Sequence, residues 1–562
     1  MRQRSRILVL SLVLLAGACR SGGGSIDGGA DARSAAEGTG TLDSQQDVVA
    51  RPDGATDGNS DGADSNGPGT DAAVTDDWAA ETGVADSTQA PDFEAPKDSS
   101  GSEDGGDAGE EPQPVPSIAW FGEALESGQS SQMNPFLDAW DGPFCEAGKC
   151  LLITFMPGCP DVQFRGEPND WKEGTFMTPV DWFPGLFYLY LDGGPVDGHL
   201  EYKLFCNAQW SLDPLNRYIR FADIAINSAL YAAGRSRLAL VKDVYSPQLE
   251  NSRALYVYVP AAAFENPKLR FPTLYMQDGF NVFANPMAPF GSWDVDLLLD
   301  GLIAAGEVEP LVVVGIDTSD RMNEYLFAPI VLDKGDELVQ VEPRLDAYAA
   351  FLVDVVVPLV EDGFPALEDR EHRAMAGSSL GGISSLYIAW THAESFGRVA
   401  SLSGSFWVGE EESGTDEVES MRDVIAQAPP TAEQKSLKVY LDSGDGGYSV
   451  GDEDYAYAED ARAYTDWVRN QIIGLGFDNR PEWDDDGNLA TPPKDFPLVT
   501  PPADVPTLYW EESPPAVYGG WGDFLLPQND LLHLVGEGHL HNEAAWKARF
   551  PAVARFLFPP EA

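Results

Sequence analysis

From about residue 229 onward, short and nearly continuous apolar runs alternate with longer stretches of helical period, and this alternation constrains the fold more than any other feature. The runs are "ALYVYVP", "PTLYMQD", "LVVVGID", "HRAMAG", "RVASLSG" and "LKVYLDSG". Between them lie "SWDVDLLLDGLIAAG", "RLDAYAAFLVDVVVPLVED" and "GGISSLYIAWTHAESF". A strand that is apolar at every position has both faces buried, as in a parallel sheet covered by helices on both sides. The expected fold class is therefore α/β, a doubly wound, mostly parallel sheet. Such sheets bind ligands at the carboxyl ends of their strands.

One of those ends carries a candidate nucleophile. In Gly377–Ser378–Ser379–Leu380–Gly381 the strand "HRAMA" runs straight into the motif and the helix "GGISSLYIAW" leaves it. A serine in a sharp strand-to-helix turn exposes its hydroxyl above the sheet, and its neighbours two residues away must lack side chains. Gly377 and Gly381 meet that demand. The helix start also supplies backbone N–H groups where an oxyanion develops, Leu380 N–H among them. Two further Gly–x–Ser–x–Gly matches lack this setting. Gly58 to Gly62 falls in an acidic low-complexity stretch, and Gly447 to Gly451 lies in a Gly-rich loop beyond its strand. A serine hydroxyl needs a base. Among the 6 histidines, His533, His539 and His541 fall late enough for the order Ser, acid, His. His541 heads "HNEAAW" on the brink of a helix and is the expected base, whereas His533 and His539 belong to the strand and loop leading there.

Around this serine, "YMQDGFNVF" (Tyr275 to Phe283), "GIDTSDRMNEY" with Arg321 and Glu324, "GSSLGG", "SGSFW", and His541 followed by Trp546 make residues 229–562 resemble an esterase family of α/β-hydrolases. That family includes enterochelin esterases, feruloyl esterases, esterase D and mycolyltransferases. The resemblance implies an α/β-hydrolase domain that cleaves a carboxylic ester through an acyl-enzyme, with no metal or organic cofactor. It also implies a second oxyanion donor just after Asp278–Gly279, at Phe280 N–H, and a structural ion pair of Arg321 with Glu324 near the pocket. The acid is harder to align, because the loop after "LDSG" is longer than in relatives. Asp442, Asp445, Asp452 and Asp454 compete for the role. Counting back from Tyr464 favours Asp454, at the start of the helix expected over "YAYAEDARAYTDWV", where a plain helix N-cap is the alternative. Two other functions remain in view: a non-catalytic binding lipoprotein that uses the fold as scaffold, and acyl transfer to a sugar or lipid. The sequence leaves the ester itself open.

Residues 116–228 read as strands and turns, as in "CLLITFMP", "DVQFRG", "GLFYLYLD" and "LEYKLFC", and predict a small β-sandwich. Gly166, Asn169, Trp171, Tyr202, Lys203, Trp210, Asp213, Pro214 and Asn216 make it resemble an immunoglobulin-like module related to glycogen-binding domains, which implies a glycan partner at Trp171 or Trp210. Cys145, Cys150, Cys159 and Cys206 all lie here. Their irregular spacing argues against zinc and for two disulfides, with three pairings open. Ahead of this module, Arg2, Arg4 and Arg6 precede the apolar run Ile7 to Leu15 and the small residues before Cys19. Residues 1–18 resemble a lipoprotein signal peptide, implying acylation of Cys19 and an exported protein anchored at the outer membrane. Residues 19–115 are Gly, Ser, Asp and Ala with almost no aromatic residue, the composition of a disordered acidic linker. A net charge of −56 repels phosphate backbones, so nucleic acid is not an expected partner.

Overall fold

The computed structural model describes residues 115–195, 198–333, 338–410, 419–444, 448–450, 453–455, 460–475, 517–518, 524–526, 529–536 and 539–560. Cys19, the signal segment and the acidic stretch lie outside these residues.

The apolar runs form one large sheet. Its strands are β1 (Arg237–Ser246), β2 (Asn251–Val259), β3 (Thr273–Met276), β4 (Val312–Ile316), β5 (Arg373–Ser378), β6 (Arg398–Leu402), β7 (Lys438–Gly444) and β8 (Asn529–Gly536). Their spatial order is β1-β2-β4-β3-β5-β6-β7-β8. β3 to β8 run parallel, and β2 lies antiparallel to both β1 and β4. Segments Val517–Tyr518 and Phe524–Leu526 add antiparallel pairing to β8.

Period-2 alternation divides the strand side chains between two cores. Val312, Val314, Met375, Val399, Val439 and Leu441 face one. Val313, Ala374, Ala376, Ala400, Leu402 and Tyr440 face the other. Helices α2 (Leu345–Gly363, with one π turn at Leu352–Val356), α3 (Leu380–Thr391) and α4 (Asp460–Leu475) cover the first face through Tyr348, Leu352, Ile383, Leu386, Val468 and Ile472. Helices α1 (Val295–Ala304) and α5 (Glu543–Leu557) cover the second through Leu299, Leu302, Trp546, Phe550 and Leu557. Burial on both faces is why these strands read as unbroken apolar runs.

Ahead of the large sheet lie two smaller ones. Phe144–Glu146, Lys149–Phe155, Leu186–Asp192 and Thr178–Pro179 form the first. A six-stranded sheet centres on Gln163–Gly166, His199–Cys206 and Ile226–Tyr231, and so runs past residue 228. Cys150, Leu152 and Phe187 from one sheet and Phe164, Tyr202 and Leu204 from the other share a core. The disulfides are Cys145–Cys150, across one hairpin, and Cys159–Cys206.

The reading of strands and turns alone missed two helices, Ile118–Ser127 and Ser130–Asp138. Ser117 Oγ caps the first by accepting Trp120 N–H at 3.1 Å, and Gly128 ends it in the left-handed conformation. Phe121, Ala124, Met133 and Phe136 pack on Leu151 and Ile153, the side of the first sheet turned away from the second.

Most of the glycogen-binding-like residues do structural work. Asn169 Oδ1 accepts Gly166 N–H at 2.9 Å, and a Cβ on Gly166 would lie 2.4 Å from Glu201 O. Tyr202 Oη donates to buried Asp213 at 2.7 Å, and Asn216 donates to Tyr202 Oη at 3.0 Å. Burial pushes Asp213 up to about 6. Trp210, by contrast, is 46% exposed and lies 6.4 Å from Trp171. The described residues fall within one compact unit, and the bridge Tyr218–Ala239 ties the six-stranded region to β1.

Candidate active site

β5 ends at Ser378, α3 begins at Leu380, and Ser379 makes the turn between them at φ 56° and ψ −123°. A non-glycine residue held at positive φ is strained, and such strain persists only where the surroundings over-determine it. The restraints here are visible. Ser379 N–H donates to Leu402 O at 3.0 Å, and Ser379 O accepts Ser405 N–H at 2.9 Å and Gly382 N–H at 3.0 Å. A Cβ on Gly377 would lie 2.5 Å from Gly381 O, so strand and helix approach as closely as two glycines permit. Ser379 is buried, and its hydroxyl lies 3.2 Å from Ser405 Oγ. Ser405 belongs to the "SGSFW" segment and had no expected role, because nothing in the motif shows that β6 delivers it to Ser379.

The expected oxyanion residues lie at the neighbouring strand ends. Leu380 is the first residue of α3. Phe280 sits in the helical turn Gly279–Val282 after β3, packed on Phe221 at 5.8 Å and Tyr256 at 6.5 Å. Its backbone N–H also helps hold the charge of Asp317, a carboxyl that burial pushes up to about 6. Arg321 and Glu324 are not paired with each other. Arg321 grips Asp278 with two hydrogen bonds of 2.7 and 2.9 Å, whereas Glu324 takes two from buried Arg253 at 2.8 and 2.9 Å. The short helix they share (Arg321–Glu324) turns the two side chains toward different strands, β3 and β2, which adjacency in the sequence does not reveal.

His541 lies two residues ahead of α5 and meets the Trp546 ring edge-on at 5.1 Å. Burial, then the charges of Arg549 and Arg321, lower its pKa to about 3. The ring is thus neutral at pH 7 but weakly basic, and a nearby carboxylate would raise its basicity toward what a general base needs. His533 lies in β8 against α4, with Nδ1 3.0 Å from Arg469 Nη1, and His539 Nδ1 lies 3.2 Å from Arg549 Nη1.

Of the four competing aspartates, Asp442 is fully buried at the end of β7, 2.9 Å from Arg549 Nε, and accepts Ser403 N–H at 3.1 Å and Tyr440 Oη at 2.9 Å. Burial raises its pKa, with Arg549 opposing. Asp445 and Asp452 lie outside the described residues. The backbone of Asp454 sits in the short strand Glu453–Tyr455, opposite Ser449, and α4 starts only at Asp460. Asp454 is therefore not at a helix start: the chain first makes a hairpin, for which the Gly-rich run Gly444 to Gly451 was the overlooked signal. Glu543 was also overlooked. It is buried in the first turn of α5, and burial, then Asp278, push its carboxyl up to about 7. Among the described residues no cluster of three His, Cys, Asp or Glu side chains could hold a metal ion.

Residues 246–480 match the family described as "Putative esterase". The endo-1,4-beta-xylanase/feruloyl esterase of Xylanibacter ruminicola is 26% identical over 279 residues, 47% of this chain and 35% of that protein. The iron(III) enterobactin esterase of Dickeya dadantii is 28% identical over 167 residues, 30% of this chain and 33% of that protein. The chain thus spans about a third of the length of these two relatives. Among solved structures, the enterobactin esterase of Shigella flexneri is 14% identical with a TM-score of 0.35, covering 76% of this chain and 98% of that one.

Proposed function

We infer, from the membership of residues 246–480 in this esterase family, that the protein is a serine carboxylic-ester hydrolase. The observation that carries the reading is Ser379 held at φ 56° between β5 and α3 by two glycines in contact. In this proposal Ser379 attacks the ester carbonyl while His541 takes its proton. Leu380 N–H holds the oxyanion together with Phe280 N–H, which turns from Asp317 to reach it, and water then hydrolyses the acyl-enzyme. Asp454 remains the proposed acid, reaching His541 from the loop after β7. The relatives named as feruloyl and iron(III) enterobactin esterases support feruloyl and enterobactin esters as the first substrates to try. The test is turnover of a panel of feruloyl, acetyl and p-nitrophenyl esters by the wild type and Ser379→Ala. The reading predicts loss of turnover by roughly a millionfold, and a folded Ser379→Ala protein with unchanged turnover would overturn it.

We further propose export with a lipid anchor on Cys19, and glycan binding at Trp171 or exposed Trp210 of an immunoglobulin-like module. Membrane fractionation of Cys19→Ser and polysaccharide pull-down of Trp210→Ala test these two.

A further inference from the structure

The described residues border a half-open cavity of about 190 Å³ whose lining shares no residue with the serine site. It lies where His199, Arg220 and Tyr231 of the six-stranded sheet meet Arg237 of β1, Tyr258 of β2 and α1. Taking ~30 Å³ as the share of one water, it has room for about six waters or one small organic acid.

Its chemistry is unlike the rest of the surface. The chain has 91 acidic and only 35 Lys and Arg side chains, yet Arg220, Arg235 and Arg237 converge here. The two lining carboxylates are largely satisfied by neutral donors. Asp300 accepts Tyr258 Oη at 2.8 Å and Ser236 Oγ at 2.9 Å. Asp296 accepts Ala284 N–H at 2.8 Å, and its other oxygen lies 3.4 Å from Arg220 Nη1. Glu201, outside the lining, is occupied by Asn227 at 2.7 Å and His199 at 3.4 Å. Arg237 stacks on Phe264, its guanidinium carbon 3.8 Å from the ring centre. Arg235 lies over Gly198, where a Cβ would come within 3.4 Å of its Nε. The Nε atoms of Arg220 and Arg237 are buried with no acceptor among the described residues. Buried donors are paired in nearly all folded proteins, and both of these exceptions belong to arginines that also line the cavity.

We propose that this cavity binds a small organic monocarboxylate, gripped by Arg220, Arg235 and Arg237. Three cations against two carboxylates leave one positive charge on the lining, and Glu201 opposes Arg220 from just outside it, so the site suits a monoanion better than a dianion. Planar guanidinium forks match the two oxygens of a carboxylate, and the Tyr231 and Tyr258 rings supply apolar wall for its carbon body. This site stands whether or not Ser379 is a nucleophile.

Calorimetric titration of the full-length protein with benzoate, glucuronate and inorganic phosphate, at fixed ionic strength, tests the assignment. At least one carboxylate should bind saturably and more tightly than phosphate. Arg235→Gln, an exposed substitution that leaves the fold intact by circular dichroism, should weaken that binding about tenfold, the loss of one charge-assisted contact. Ser379→Ala should leave it unchanged, which separates this cavity from carboxylate binding at the serine. Phosphate binding more tightly than both acids, no saturable binding at all, or an unaltered affinity in Arg235→Gln each overturns the proposal.

Discussion

Replacing Arg549 with Met tests how the strand ends beneath the candidate site are held. The guanidinium is 2% exposed, lies 2.9 Å from fully buried Asp442, donates to Ser403 Oγ at 2.8 Å and contacts His539. It therefore ties the ends of β6 and β7 to the loop that carries His541. Removing one partner of a buried ion pair strands the other charge, at a cost of about 3–5 kcal/mol. Adding Asp442→Asn removes the stranded charge but keeps an acceptor for Ser403 N–H, so the double variant should recover about 1–3 kcal/mol. Urea unfolding at pH 7 with disulfides intact measures both. Arg549 is also one of the two cations that, after burial, lower the pKa of His541. Its loss should raise that pKa and move the acidic limb of the kcat/KM profile to higher pH. A single variant within 1 kcal/mol of wild type, or a double variant less stable than the single one, would refute this account.

Glu543, with a folded pKa raised from 4.5 to about 7, binds its proton more tightly in the folded state. Its ionisation therefore destabilises the fold progressively from about pH 4.5 to 7, by at most about 3 kcal/mol. Glu543→Gln should accordingly stabilise more at pH 8 than at pH 5, and equal effects at both pH values contradict the burial argument. Gly377→Ala, which puts a Cβ 2.5 Å from Gly381 O, should lower kcat by roughly a hundredfold or more with substrate binding less affected. Wild-type kinetics in a folded variant would count against the close approach. Opening Cys159–Cys206, with a sequence separation of 47, should cost about 4 kcal/mol, against about 2 for Cys145–Cys150 with a separation of 5. Chemical unfolding of Cys159→Ser/Cys206→Ser and Cys145→Ser/Cys150→Ser compares them.

The large sheet was legible because burial on both faces leaves unbroken apolar runs, as in Val312 to Ile316. The setting of Ser379 was legible because strand, glycines and helix follow one another without a gap. Pairings across the fold were not. Arg321 with Asp278, Arg253 with Glu324, Asp442 with Arg549 and Ser379 with Ser405 join residues brought together by strand order, and no local pattern reports them. The helices before the first sheet escaped because their apolar spacing is short and interrupted by Gly128 and Pro135. The position of Asp454 was misjudged because periodicity runs back from Tyr464 with nothing to mark where the hairpin ends and α4 begins.

The most direct test of the central claim is covalent labelling. A fluorophosphonate phosphonylates a serine, with loss of fluoride, only when a base and an oxyanion site activate it. Peptide mass spectrometry of the labelled wild type should place one adduct on Ser379 and none in Ser379→Ala. An adduct on Ser405 or Ser449 instead, or a folded wild type that takes up no label while p-nitrophenyl esters go unhydrolysed, would contradict the assignment of Ser379 as the nucleophile.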